Sequence, residues 1–166
     1  MASLSSSGEL CVFSLAETDV LIDINGYIDE VSSPSAFAPE RFADSRTDGS
    51  ADTIDGRFEA TGRLAAGETW KIDVAGRGTI PEAGTVAALL NVAVINPAES
   101  GFLTVFPCDE QRPEASNVNY GPGDIVSNGV LAKLAFDGSV CVFTLAAADV
   151  LVDATGVIFG NPTIRD

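Results

Sequence analysis

A stretch of sequence near the start of the chain recurs near its end. Residues 8–28 read GELCVFSLAETDVLIDINGYI and residues 138–158 read GSVCVFTLAAADVLVDATGVI, so the two copies match without gaps at 12 of 21 positions, 130 residues apart. That period is too long for a solenoid unit and fits a string of whole domains. We therefore expect residues 1–30 to be the tail hairpin of a preceding repeat, which packs on the domain or completes it. Residues 31–160 are expected to form one complete repeat, and residues 161–166 to begin a linker.

Short apolar runs, separated by Gly, Pro, Asn and Asp, dominate the repeat. They are rich in Val, Ile, Leu, Phe and Thr, and helix signals are weak, which is typical of antiparallel sandwiches and barrels. The predicted strands are residues 10–14, 20–24, 41–44, 69–74, 85–95, 102–107, 130–136, 140–145 and 150–154. Two connections, Asp137 with Gly138 and residues 96–101, are predicted to close hairpins. The sequence predicts one all-β domain, an antiparallel β-sandwich of jelly-roll or Ig-like type.

The chain contains no histidine. Its absence removes the commonest general base, the commonest zinc ligand and every Ser/His or Cys/His nucleophile pair. No Gly-rich phosphate loop or Gly-x-Ser-x-Gly elbow occurs, and nothing in the sequence places two carboxylates on facing strands. We therefore do not expect an enzyme.

Acidic residues far outnumber basic ones, with 24 Asp and Glu against 9 Lys and Arg and a formal net charge of −15. Phosphate backbones and anionic membrane surfaces would repel such a chain. No apolar run approaches the roughly 18–20 residues that a membrane span needs. We expect neither a nucleic-acid partner nor membrane insertion. The opening residues lack the basic start and apolar stretch of a signal peptide, so any export signal is expected upstream.

The repeat makes sense of an odd number of cysteines: Cys11, Cys108 and Cys141. Cys11 and Cys141 are equivalent positions in the two copies. If each full repeat pairs its Cys108-type residue with its Cys141-type residue, Cys11 is left as a free thiol, and we expect this arrangement. The competing pairing, Cys11 with Cys108, would follow if the tail hairpin inserted where a neighbouring repeat docks.

Four aspartates, Asp44, Asp48, Asp52 and Asp55, lie in the polar segment 44–62. Several carboxylates on one flexible loop could supply oxygen ligands to calcium. Their spacing does not match the Asp-x-Asp-x-Asp-Gly pattern of an EF-hand. We expect no cofactor and a solvated acidic loop, with a calcium site at these four residues as the alternative.

Asp149 and Asp153 begin and interrupt an otherwise apolar predicted strand. An unpaired carboxylate would be costly to bury there. We expect structural ion pairs with Arg46 and Lys133, since Lys133 interrupts an apolar run and faces the same problem. The alternatives are calcium, or an amide bond between Lys133 and a nearby asparagine with Asp153 moving the protons.

Asn117, Asn119 and Tyr120 form a polar loop flanked by Gly and Pro. An exposed Tyr120 ring beside two amides could bind a glycan. A hydrogen-bonded turn explains the same residues. Either asparagine could also supply the amide for Lys133. Trp70, in contrast, alternates with apolar residues and is predicted to point into the core.

Two motifs of the repeat resemble those of a known family. Its starting motif, Pro-x-Arg-x-x-Asp-[ST]-Arg, is matched by Pro39, Arg41, Asp44, Ser45 and Arg46. Its final motif, Thr-Asp-Val-x-Val-Asp-x-x-Gly-Tyr, is matched best by residues 18–27, while the second copy has Ala148 and Val157 instead of Thr and Tyr. Residues 37–158 thus resemble the repeat of about 130 residues found in secreted multidomain proteins of high-GC Gram-positive bacteria.

The resemblance implies an extracellular or cell-surface location, beside cell-wall hydrolases or in arrays on surface proteins. It attaches no activity to the repeat itself. We therefore expect a non-catalytic module that acts as a spacer, adhesion or assembly domain, with neighbouring repeats of the same protein as its partners. The alternative is a carbohydrate-binding module for cell-wall glycan, with or without calcium.

Overall fold

The computed structural model describes residues 5–20, 22 and 33–160, and its regular structure is entirely β. The strands are β1 (Ser33–Asp44), β2 (Thr69–Asp73), β3 (Thr85–Ile95), β4 (Gly101–Pro107), β5 (Val118–Tyr120), β6 (Ile125–Lys133), β7 (Ser139–Thr144) and β8 (Asp149–Phe159). Among the described residues, no helix long and apolar enough to cross a membrane is found.

Two four-stranded antiparallel sheets pack face to face. One sheet has the order β1-β8-β3-β6 and the other the order β2-β7-β4-β5. Of the described strands, only β4 and β5 are both consecutive and side by side, and every other connection crosses between the sheets. Two sheets of this strand order form an eight-stranded jelly roll. The predicted β-sandwich is confirmed, and its topology is that of the jelly roll rather than the Ig fold.

The two predicted hairpins are wrong, although the turn at Asp137 and Gly138 forms. At Asp137 and Gly138 the chain reverses with Gly138 at φ +78°, and the Gly138 N–H donates to the Ala135 carbonyl over 2.9 Å. This turn joins β6 to β7, and residues 96–101 join β3 to β4, which in both cases are strands of different sheets. A turn signal fixes a local reversal of the chain, whereas the packing of the sheets decides which strands pair.

The core lies between the two sheets and follows the period of two that a strand imposes on its side chains. In β3 every second residue from Ala88 to Val94 is buried, and Val140 and Val142 of β7 face them from the opposite sheet. Trp70 packs against the same core, as predicted.

Strand β7 is buried on both faces. Its outward residues Cys141 and Phe143 form a small second cluster with Phe106. The loop after β4 reaches this cluster, because Cys108 is disulfide-bonded to Cys141 and Arg112 lies with its guanidinium 4.1 Å from the Phe143 ring centroid. This cover explains why apolar residues occur consecutively in β7 instead of alternating.

The described part of the first copy of the repeated segment belongs to neither of these sheets. Its described residues, 8–20 and 22, are exposed and form no strand. The predicted strand 10–14 is therefore not formed, and most of the predicted strand 20–24 lies outside the described residues, as does the predicted linker 161–166. The equivalent residues of the second copy form β7 and β8, each of which lies between two neighbouring strands. A central strand without its neighbours has no partners for its backbone hydrogen bonds.

Strands β1 and β8 meet along a seam that passes close to Gly156. Ser33 is the register partner of Phe159, and Ala36 of Gly156. A Cβ atom at Gly156 would lie 2.8 Å from the Ser35 carbonyl oxygen and 3.0 Å from Leu89 Cδ1. Only glycine therefore lets β1 and β3 approach β8 this closely.

We expect Gly156→Ala to lower the free energy of unfolding by about 1–3 kcal/mol, the usual cost of forcing an extra methyl into a packed site. Gly129→Ala in the exposed part of β6 is the matched control, since a Cβ there meets nothing within 4 Å. That change should leave stability unchanged or raise it by up to about 1 kcal/mol. Urea unfolding measures both variants, and equal stabilities would contradict the close contact at the seam.

Candidate functional site

The two halves of the repeat motif meet across the seam between β1 and β8. Arg41 and Asp153 are register partners, with Arg41 Nε 2.8 Å from Asp153 Oδ1 and Nη2 3.3 Å from Oδ2. The hydrogen bond to Asp153 raises the pKa of Arg41. Planar two-point pairing of this kind is specific to arginine and would be lost with lysine.

Asp44, at the end of β1, is fully buried and bound by two arginines. Arg46 places Nη2 2.7 Å from Asp44 Oδ2 and Nε 3.0 Å from Oδ1, and Arg41 Nη1 lies 3.1 Å from Oδ2. Burial raises the pKa of Asp44, but the hydrogen bonds from Arg46 and the charges of both arginines outweigh burial, so the pKa lies below its ordinary value. The carboxylate is therefore held ionised inside the protein.

Ser45 and Asp149 form the next contact along the seam. The Ser45 hydroxyl donates to Asp149 Oδ1 over 3.1 Å and accepts a hydrogen bond from the Val150 N–H over 2.9 Å. Arg63 Nη1 lies 3.3 Å from Asp149 Oδ2, and its Nη2 donates to the Ala147 carbonyl over 2.8 Å. Arg63 thereby fixes the loop between β7 and β8 to the long loop after β1.

All four residues predicted to form ion pairs do so, but with partners other than those predicted. Asp153 pairs with Arg41, Asp149 with Arg63, and Arg46 with Asp44. Lys133 Nζ lies 2.6 Å from Glu110 Oε1, and both side chains are about half exposed. Lys133 is the last residue of the edge strand β6, and its amine reaches solvent. The charge of Lys133 therefore does not need a buried aspartate as its partner.

Of the four aspartates in the calcium alternative, Asp55 is, like Asp44, bound by an arginine. Arg77 Nε lies 2.8 Å from Asp55 Oδ2, and this hydrogen bond lowers the pKa of Asp55 to about 2. Asp48 is exposed and accepts a hydrogen bond from the Ser50 N–H. Among the described residues, no group of three or more Asp, Glu, Cys or His side chains is placed to hold a metal ion. Asp44, Asp48 and Asp55 are therefore bound by separate partners.

Arg77 is itself nearly fully buried, which the sequence analysis missed. Its Nη1 donates to the carbonyls of Phe42 at 3.0 Å and Asp73 at 2.9 Å. Its guanidinium also lies 4.8 Å from the ring centroid of Phe42 and 5.0 Å from that of Phe58. Arg77 thus joins β1, β2 and the acidic loop, and its charge is balanced by Asp55.

The glycan-binding alternative required an exposed Tyr120 ring, and the structure does not place it so. Val118 and Tyr120 point inward from β5 while Asn119 points to solvent, and Tyr120 is only 6 % exposed. The Tyr120 hydroxyl lies 2.8 Å from Thr144 Oγ1 and accepts a hydrogen bond from the Ala146 N–H over 3.0 Å. Strand β5 alternates over only three residues and is followed directly by Gly121 and Pro122. Such a short alternation cannot be recognised as a strand in the sequence. The ring therefore offers no stacking face to a sugar.

Asn117 and Lys133 line the same half-open groove between β4 and β6, which has a cavity volume of about 280 Å³. The Asn117 side-chain oxygen accepts a hydrogen bond from the Val105 N–H over 2.7 Å, and the Lys133 amine binds Glu110. Asp153 lies on β8, bound to Arg41. Asn117, Lys133 and Asp153, which the alternative of an amide bond would bring together, are thus each held by a different residue.

The predicted disulfide between Cys108 and Cys141 is confirmed, and Cys11 is a free, exposed thiol. The bond joins residues 33 apart and secures the loop after β4 over β7. Closing a loop of that length stabilises a domain by roughly 3–4 kcal/mol in the chain-entropy model.

Known proteins add no assignment to this site. The chain matches no model of a known protein family, and no curated protein sequence matches it. The chemistry of the site must therefore be judged from its contacts. In this site Asp44, Asp149 and Asp153 each form an ion pair with an arginine, and the pairs of Asp149 and Asp153 join segments that are distant in sequence.

We expect Tyr120→Phe to lower the free energy of unfolding by about 1–3 kcal/mol, because the buried Ala146 N–H would lose its hydrogen-bond acceptor. Asn119→Ala is the control on the same strand, and a change at this exposed position should stay within about 0.5 kcal/mol. Thermal or urea unfolding would compare them. A neutral Tyr120→Phe would contradict the structural role of the hydroxyl.

Proposed function

We propose that the chain is a non-catalytic extracellular module of a repetitive surface or secreted protein, where it acts as a spacer, adhesion or assembly domain. One observation supports this proposal above all others. The polar residues that recur in both copies of the repeated segment serve the fold in the second copy: Cys141 binds Cys108, Asp149 binds Ser45 and Arg63, and Asp153 binds Arg41. In the second copy, the residues shared by the two copies therefore form contacts that hold strands and loops together.

An extracellular location is supported by the disulfide, since such bonds persist in oxidising compartments. The net charge of −15 suits a module that must stay soluble and avoid anionic surfaces. The resemblance to secreted repeats of high-GC Gram-positive bacteria is consistent with both.

The position of the two ends of the domain favours attachment at one edge. Ser33 and Phe159 lie opposite each other, so the chain enters and leaves at the same place. Strand β8 runs 11 residues from there to the loop that precedes it, a distance of roughly 35 Å. At that far end the Ala98 N–H donates to the Ala147 carbonyl over 2.8 Å, which joins two of the loops. Neighbouring repeats would attach at one edge while the far loops are displayed.

In cells that produce the protein, an antibody against residues 33–160 should label intact cells or the culture medium, because the disulfide suits an oxidising compartment. An antibody against a cytosolic enzyme is the control for lysis. Labelling that appears only after the cells are broken open would contradict the extracellular proposal.

The purified protein should show no saturable binding when it is sedimented with isolated cell walls, either in the presence of calcium or in the presence of a chelator. An equally acidic unrelated protein controls for charge. Saturable binding that Asn119→Ala abolishes would replace the spacer proposal with the glycan-binding alternative. Loss of that binding in chelator would add calcium to it.

A further inference from the structure

Strands β7 and β8 occupy a slot whose walls come from other parts of the chain. β7 lies between β2 and β4 in one sheet, and β8 lies between β1 and β3 in the other. Residues 138–158, the second copy of the repeated segment, are therefore the insert that completes both sheets. We call the space that they fill the central slot.

The first copy carries the side chains that the central slot holds. In the second copy Cys141, Asp149 and Asp153 contact its walls, at Cys108, Ser45 and Arg41 respectively. Their equivalents in the first copy are Cys11, Asp19 and Asp23. Each wall partner could therefore bind either copy, but not both at once.

The same turn precedes both copies. The Ser5 N–H donates to the Glu9 carbonyl over 2.8 Å, as the Ala135 N–H does to the Ser139 carbonyl over 2.8 Å. Gly8 and Gly138 both have φ +78°. The first copy thus begins with the chain reversal that leads the second copy into the slot, although its described residues lie outside.

The large apolar side chains in the described part of the first copy are exposed to solvent. Val12 is 57 % exposed and Phe13 86 % exposed, whereas the equivalent Val142 and Phe143 are 0 % and 9 % exposed. A run of exposed apolar residues on a soluble chain marks a segment that binds elsewhere. The central slot of the same molecule buries the equivalent side chains of the second copy.

The chain connection allows the exchange. Phe159, opposite Ser33 at the start of β1, is 130 residues after position 29. With the first copy in the slot, residues 30–32 alone would join it to β1. Three residues are an ordinary length for the loop between antiparallel neighbours. Because the connection is so short, the first copy would reach the slot of its own molecule ahead of a second molecule's.

We propose that residues 8–28 and residues 138–158 compete for the central slot, so that the first copy can replace the second within one molecule. The second copy holds the slot because it fits better. Ser139 and Ala154 are fully buried, and the first copy would place Glu9 and Ile24 there. A buried glutamate and an overpacked alanine site both destabilise the exchanged form. This exchange goes beyond the proposed function and does not depend on it.

Val20 and Val150 are equivalent positions and provide a matched pair of variants in the full chain. Val150→Asp puts a charge into the core and expels the second copy, whereas Val20→Asp disables the first, whose residue is exposed. With oxidised glutathione as the oxidant, two thiols form one disulfide and two reduced glutathiones leave. Digestion without reduction and mass spectrometry then identify the pairing.

We expect Val150→Asp to stay folded with Cys11 bonded to Cys108, and Val20→Asp to keep Cys108 bonded to Cys141. The double variant should unfold, with any pairing unselective. If Val150→Asp unfolds as completely as the double variant, the first copy does not replace the second in that variant. The milder Cys141→Ser variant then tests the proposal.

Cys141→Ser leaves the apolar fit of both copies intact and removes only the anchor of the second. We expect a Cys11–Cys108 bond within monomers of Cys141→Ser, and its loss when Val20→Asp is added. Two free thiols, a bond only between molecules, or a bond that survives Val20→Asp would each overturn the proposal. The last result would mean that Cys11 meets Cys108 as a loose tether.

Discussion

The ion pair between Arg41 and Asp153 fixes the seam on which the rest of the domain depends. Strand β8 is central to its sheet, and its hydrogen bonds to β1 and β3 hold that sheet together. The same seam buries Asp44 beneath Arg41 and Arg46, so neither carboxylate is left unpaired. An unpaired charge at either place would cost several kcal/mol. The polar motifs at the two ends of the repeat are therefore one structure, separated in sequence by more than a hundred residues and joined across two strands.

The few cations of the chain are used in this way throughout the described residues. Arg41, Arg46, Arg57, Arg63, Arg77, Lys71 and Lys133 each pair with a carboxylate, and Arg112 covers the phenylalanines beside the disulfide. These basic groups therefore hold strands and loops together, although acidic residues outnumber them in the chain, with 24 Asp and Glu against 9 Lys and Arg. This acidic excess would oppose non-specific association with other acidic molecules.

The sequence predicted the elements of the fold more completely than their contacts. The strand 85–95 was predicted at its full length because its period of two extends over 11 residues, and the repeat identified Cys108 and Cys141 as partners. Pairing within the sheets was not predictable, because a turn such as Asp137 and Gly138 reverses the chain in the same way whether the next strand lies beside it or in the opposite sheet. Arg41 was noticed only as part of a motif, since nothing local shows that it lies opposite Asp153. The burial of Tyr120 was not predictable, because burial of a three-residue strand depends on what packs over it.

The most direct test of the seam is a double-mutant cycle on Arg41 and Asp153, with Arg41→Gln, Asp153→Asn and the pair together, measured by urea unfolding at neutral pH. If this ion pair joins the two halves of the repeat, the two residues should be coupled by between about 0.5 and 3 kcal/mol, the range for directly contacting groups. A coupling energy of zero, with both single variants as stable as the parent chain, would contradict the account.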